Sequence, residues 1–309
     1  MNRKIKTAVI GTGHLGRHHA RIYSELEGSE LVGVCDINEK AGKKVAESTG
    51  SVYYKNYNDL IAKAEAVSVV TPTETHFDIA FNLLENNVNV LVEKPITNSP
   101  GNAAELIKSA EKNSLILQVG HIERFNSAVR RAGEYINEPR FIEVNRLSKF
   151  PARSLDIGVV LDLMIHDIDI ILSFVDSPVK EINSVGAPVF SDKEDIANCR
   201  LLFENGCVAN ITASRISYKS ERKFRVFEKD RYVSLDFGKQ DFVVYKKKKE
   251  KISSPRDVER IKPSFKKKEP LKQELESFLQ SVRTKSPPTV SGKHGLSALK
   301  LALEITRKI

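Results

Sequence analysis

Residues 8–16, Ala8-Val9-Ile10-Gly11-Thr12-Gly13-His14-Leu15-Gly16, carry an apolar run straight into the spacing GxGxxG. The apolar triplet predicts a strand and the residues after Gly16 predict a helix. Gly11 permits the tight turn between them, Gly13 lets the backbone approach a pyrophosphate, and Gly16 lets helix and strand pack closely. A helix N-terminus favours phosphate, which places His14 and Leu15 at the cofactor with the three glycines. Three glycines alone are weak evidence, so the next strand decides. It ends at Asp36, 25 residues after Gly11, where an acid accepts hydrogen bonds from the adenosine ribose hydroxyls. A 2'-phosphate would meet a like charge there, and Ile37-Asn38-Glu39 supplies no arginine, so the cofactor expected is NAD rather than NADP.

Outward from this motif, the first 120 residues alternate apolar runs with amphipathic segments. Strands are expected at 7–10, 31–35, 66–70, 88–92 and 115–119, and helices at 15–26, 39–48, 75–85 and 101–112. That alternation predicts an α/β Rossmann domain over residues 1–120, a parallel doubly wound sheet with its functional loops at the carboxyl ends of the strands. Beyond residue 121 the pattern changes. Helices are expected at 126–136 and 158–174, followed by alternating runs at 181–189, 197–203, 208–216, 223–228, 231–236 and 241–245. Residues 121–309 therefore read as an α+β domain for substrate binding and oligomerisation, with an open, mostly antiparallel sheet. Two final helices, 271–282 and 292–306, are free to pack back on the first domain.

Composition narrows the function classes. A chain of 309 residues with 40% hydrophobic and 29% charged residues has material for two globular domains. The start, MNRKIKTAVIGTG, offers an apolar stretch too short for a signal-peptide core, and no run approaches the ~18 apolar residues of a membrane span. Cys35, Cys199 and Cys207 are an odd number without metal-ligand spacing, which points to reduced thiols in the cytoplasm and to no metal site. The net charge of +9 is local: Lys and Arg number 22 against 11 acids over residues 215–285, and 13 against 14 over residues 1–120. Few aromatics interleave with those lysines and no nucleic-acid module is present, so the stretch reads as a solvated surface and no nucleic-acid partner is expected.

Two further motifs carry chemistry. The strand ending at Val70 is followed by Thr71-Pro72-Thr73-Glu74-Thr75-His76, and the next by Glu93-Lys94-Pro95. Both loops fall at the carboxyl end of the sheet, which makes Thr71, Pro72, His76, Glu93 and Lys94 candidates for the nicotinamide half of the cofactor. Farther on, Asp162 and His166 stand four apart on a predicted helix, so the carboxylate can orient the imidazole or share its proton. A structural Asp–His pair and a surface lysine paired with Glu93 remain the plain alternatives.

At Gly11–Gly16, Glu93-Lys94-Pro95 and the Asp162–His166 pair the chain resembles the Gfo/Idh/MocA family of NAD(P)-dependent oxidoreductases, over essentially its whole length. The resemblance implies that Lys94 contacts the nicotinamide ribose and the reacting hydroxyl, and that Asp162 and His166 serve the substrate. Ser127 departs from the proline that many relatives carry. Within the family, residues 119–126 and 153–167 are similar to dehydrogenases that oxidise the 3-hydroxyl of UDP-N-acetylglucosamine to a ketone, which an aminotransferase then takes toward lipid A. That similarity makes Arg124, Phe125, Asn126 and Arg153 candidate substrate residues, the arginines suiting a diphosphate or else forming structural ion pairs. A dehydrogenase of free sugars or inositols and a non-catalytic NAD-binding regulator stay open beside it. An open sheet face further predicts a homodimer or homotetramer.

Overall fold

The computed structural model describes residues 3–150 and 157–309. The chain forms two units, one of residues 1–122 and 269–297, the other of residues 123–268 and 298–309. The sequence reading assigned residues 121–309 to the second domain and left its final helices free to pack on the first; residues 269–297 group with the first unit.

In the first unit, β1 (Ile5–Ile10), α1 (Gly16–Glu25), β2 (Ser29–Cys35), α2 (Glu39–Thr49), β3 (Val52–Tyr54), a one-turn α3 (Asn58–Ile61) and β4 (Ala66–Val69) form the first half of the fold. Helix α4 (His76–Glu85), β5 (Asn89–Glu93), α5 (Pro100–Lys112) and β6 (Leu117–Gly120) form the second. The six strands are ordered β3-β2-β1-β4-β5-β6 and all their pairings are parallel. The order reverses between β1 and β4, the switch point where a doubly wound sheet opens a crevice for its ligand. Burial explains why the strands read so clearly: every residue of β4 and all but one of β1 are buried, as a sheet covered on both faces requires.

The second unit starts with α6 (Ser127–Ala132) and β7 (Phe141–Leu147). A π-helical turn (Val160–Met164) then leads into α7 (Ile165–Phe174), where the sequence had predicted one continuous α-helix. The strands β8 (Val179–Ala187), β9 (Ile196–Phe203), β10 (Val208–Ser214), β11 (Glu221–Phe227), β12 (Arg231–Asp236), β13 (Asp241–Lys247) and β14 (Val258–Ile261) complete the sheet. Helices α8 (Pro270–Thr284) and α9 (Gly292–Arg307) end the chain. The eight strands are ordered β14-β13-β12-β11-β7-β10-β9-β8. Only β7 and β10 pair parallel; the other pairings are antiparallel.

One face of this sheet is dry. Ile142, Cys199, Ile211, Phe224 and Val233 join Val129 of α6, Ile168 and Ile171 of α7, and Leu301 and Ile305 of α9 in one core. The opposite face carries half-buried aromatics in a single row: Phe141, Phe227, Tyr232 and Tyr245 lie at matching register on β7, β11, β12 and β13. Their ring centroids are 5.5, 4.7 and 5.9 Å apart along the row. Among the described residues no helix is long and apolar enough to cross a membrane.

Candidate functional site

The glycine motif folds as its spacing requires. Gly11 has φ +89°, and a Cβ there would collide with the Val70 carbonyl on the adjacent strand. A Cβ on Gly16 would run into the Gly11 carbonyl, so helix and turn touch backbone to backbone. The first turn of α1 has neither a side-chain cap nor an acidic residue. Its N–H groups and dipole are therefore left to an anion, with Gly13, His14 and Leu15 exposed beside them. Asp36 closes the other end of the crevice. Its Oδ2 accepts from the Thr12 amide at 2.6 Å and from the Thr12 hydroxyl at 2.7 Å, and its Oδ1 accepts from the Asn38 amide at 2.8 Å. Oδ2 spends both its lone pairs on Thr12, whereas Oδ1 keeps one for a ribose hydroxyl. A pyrophosphate at the helix and a ribose at Asp36 are what this donor and acceptor set fits.

The two loops after β4 and β5 are tied to each other. His76, expected to face the cofactor, is 1% exposed. Its Nδ1 and Nε2 lie 2.9 Å from the carbonyl oxygens of Pro95 and Thr71, respectively. Thr71 and Pro72 are held from the same side, where the Thr75 hydroxyl contacts the Thr71 hydroxyl at 2.7 Å and the Pro72 carbonyl at 2.8 Å. On the far side of Lys94, the Glu93 Oε1 lies 3.1 Å from Nε2 of the buried His19 on α1, and its Oε2 accepts from the Lys94 amide at 3.3 Å. Burial pushes the Glu93 carboxyl up, while His19 and Lys94 pull it down and prevail, so it titrates below the usual carboxylate range. Gly120 on β6 leaves room for this carboxylate; a Cβ there would lie 2.8 Å from it. His19 had no place in the sequence reading, although it stands three residues past Gly16 on the face of α1 that turns inward.

In the second unit, Asp162 lies in the π turn and His166 in the first turn of α7, both half-buried. The helix is fixed by charges that flank His166. Asp167 takes a forked contact from Arg146 of β7, at 2.6 Å from Nε and 2.9 Å from Nη2, and Arg146 also reaches Glu123 at 3.3 Å. Arg215 is fully buried and donates to Asp195 at 2.7 Å, to the Ile157 carbonyl at 2.7 Å and to the Ser191 hydroxyl at 2.8 Å. It thereby secures the residue just ahead of the turn that carries Asp162.

Three expected substrate residues are built into the fold by contacts of their own. Arg124 donates from Nε to the buried Asp169 at 2.8 Å, the structural ion pair that was the alternative to a diphosphate contact. Asn126 is buried and caps α6 by accepting from the Ala128 amide, while its side-chain nitrogen donates to Glu123 and to the Phe237 carbonyl. Phe125 is 2% exposed. A short 3-10 turn over Ile122–Phe125 buries Glu123 and Phe125, which residue type alone does not reveal. Arg153 lies outside the described residues.

Two family profiles match the chain. The oxidoreductase family with an NAD-binding Rossmann fold, GFO_IDH_MocA, covers residues 5–121, and the GFO/IDH/MocA C-terminal domain covers residues 118–231. UDP-N-acetylglucosamine 3-dehydrogenase of Acidithiobacillus ferrooxidans is 36% identical over 304 residues, 97% of this chain and 96% of that one. Its solved structure superposes with a TM-score of 0.93 at 35% identity, covering 100% of this chain and 98% of that one. Myo-inositol 2-dehydrogenase of Thermotoga maritima is 26% identical over 321 residues, 96% and 94% of the two chains.

Proposed function

The chain belongs to the Gfo/Idh/MocA family of NAD-dependent oxidoreductases, and from that membership we propose that it oxidises the 3-hydroxyl of UDP-N-acetylglucosamine to a ketone. The observation that carries the substrate is the likeness to the Acidithiobacillus enzyme, which extends through both units at 36% identity. Inositol dehydrogenases match at lower identity, so free sugars and inositols stand second. A sugar ketone is the substrate class that an aminotransferase takes, and that is the step we assign downstream.

When bound, NAD supplies the hydride acceptor. The protein's part is to hold NAD on the first turn of α1 and at Asp36, to strip the hydroxyl proton, and to steady the charge left behind. His166 serves as the base, an imidazole being the side chain suited to taking a proton, and Asp162 orients it and supports the imidazolium. Lys94 steadies the developing alkoxide electrostatically and relays the proton.

Absorbance of NADH during incubation with UDP-N-acetylglucosamine, free N-acetylglucosamine and myo-inositol tests the substrate. Turnover is expected with the nucleotide sugar and NAD, and poorly with NADP because of the Asp36 carboxylate; Asp36→Ala is expected to narrow that gap. Inositol turned over faster than the nucleotide sugar would move the second reading ahead.

We also propose that the aromatic row Phe141-Phe227-Tyr232-Tyr245 is covered by a second copy of the chain, because a row of half-buried rings across four strands leaves apolar area in water. Sedimentation is expected to show a dimer or tetramer at micromolar concentration, reduced to monomer by Tyr232→Glu; a monomeric unaltered protein would refute it.

A further inference from the structure

We infer that His76 is a positioning residue for Lys94 that works as a doubly protonated ring, tying the loops after β4 and β5 together through the carbonyls of Thr71 and Pro95. The observation is a hydrogen-bond count. Both ring nitrogens lie 2.9 Å from carbonyl oxygens. A carbonyl oxygen accepts and never donates, and a neutral imidazole has a single N–H. Both contacts are hydrogen bonds only when the ring carries two protons. With one proton, the bare nitrogen faces a carbonyl lone pair, and at 1% exposure little water can reach it to relieve the opposition.

The tie reaches Lys94 through its neighbour. Pro95 follows Lys94 directly and supplies one of the two carbonyls. On the other side, the Lys94 amide is held by Glu93, which His19 fixes in turn. Breaking the His76 arm to Pro95 therefore removes one of the ties that hold the backbone at the lysine. This inference rests on the role proposed for Lys94 above.

Proton binding at His76 sets when the tie is complete. The charged groups that bear on the ring are Glu93 at the end of β5 and Glu74 in the turn ahead of α4, and both favour the imidazolium, as do the two carbonyls. Burial opposes it more strongly, so the ring titrates below the ordinary imidazole range. The sign follows directly: the tie is two-armed on the acid side and loses one arm as the pH rises through that lowered value.

Long-range proton–nitrogen spectra of the histidine rings, recorded on the full chain without cofactor or substrate and assigned with His76→Asn, count the protons directly. Both His76 nitrogens are expected to carry protons at about pH 5 and only one at about pH 8. A ring that keeps one N–H in one tautomer throughout overturns the inference. In turnover, His76→Asn is expected to lower kcat about tenfold near pH 5 and less near pH 8, with the KM for NAD changed little. A kcat equal to that of the unaltered protein at both pH values removes the positioning role. Should the variant fail to fold, the spectra of the unaltered protein still decide, with the other rings assigned by elimination among seven histidines. The spectra need no substrate, so a wrong sugar assignment and a wrong tie give different results.

Discussion

Lys94→Met and His166→Asn are each expected to lower kcat by about 10²-fold or more while the protein still binds NAD. Removing a hydride from a carbon that bears a hydroxyl leaves a protonated carbonyl unless the hydroxyl proton departs as well, and its departure builds alkoxide character on the oxygen. A positioned base therefore contributes a factor of about 10² to 10⁴, and a cation beside the developing charge stabilises only the state that forms. Methionine keeps the length of the lysine stem without its charge, and asparagine keeps a polar group at position 166 without an exchangeable ring proton. The cradle at Gly11–Gly16 and the acid at Asp36 are untouched by either change, so the expected loss falls on kcat and not on the Kd for NAD. Steady-state kinetics with the true sugar, paired with fluorescence titration of NADH, read the two quantities separately. Variants that fold, bind NAD and turn over at near the unaltered rate would end the assignment.

Stability gives the second large effect. Arg215 and Asp195 are both fully buried, and the carboxylate also accepts from the amides of Val189, Phe190 and Ser191. Deleting one partner leaves the other buried without its counter-charge, so Arg215→Leu or Asp195→Leu is expected to cost about 3–5 kcal/mol. The double change to leucine is expected to recover much of that, because a buried pair replaced by apolar side chains is often nearly neutral. Urea unfolding of the three variants distinguishes the outcomes; equal destabilisation by the singles and the double would show that the pair itself is not the issue. Acid acts in the same direction. Burial alone would raise the Asp195 carboxyl, but the donors from Phe190, Arg215, Val189 and Ser191 outweigh it and hold the group well below the usual range. Its contribution is therefore complete above the unfolded value, ~3.9, and is lost as the pH falls toward the depressed one.

The sequence made some elements plain and hid others for physical reasons. β1, β2, β4 and β5 announce themselves because parallel strands covered on both faces carry apolar runs with few polar interruptions. β7 was missed although its burial alternates cleanly. Its inward positions are Ile142, Val144 and Arg146, and an arginine on the core side breaks an apolar pattern. Asp167, 21 residues later, and Glu123, 23 residues earlier, make that arginine tolerable. β3 spans three residues at a sheet edge, too few for a period to show. The π turn at Val160–Met164 has no signature in residue type, so Asp162 and His166 were placed on one helix while their turn geometry was not. Within the site, Gly11, Gly16 and Asp36 could be read because each answers a backbone or charge requirement local to the motif. The partners of His76 could not, since both are backbone carbonyls that any residue at 71 or 95 would supply. The ion partner of Arg124 was hidden for the opposite reason: Asp169 lies 45 residues away, and nothing near Arg124 in the chain points to it.

The grouping of the chain's end has a consequence for synthesis. Leu275, Phe278 and Leu279 of α8 belong to the core of the first unit, and Ala298, Leu301 and Ile305 of α9 to that of the second. A chain emerging from the ribosome thus completes its nucleotide-binding strands by residue 120 and its last sheet strand by residue 261, yet both apolar interiors still lack a wall. Neither half can close as it is made, N-terminal part first, in the way that sequentially arranged domains do. Nascent chains stalled before α8 would present two open hydrophobic surfaces to chaperones, and a frameshift in the final helices would damage the cofactor half as surely as the sugar half.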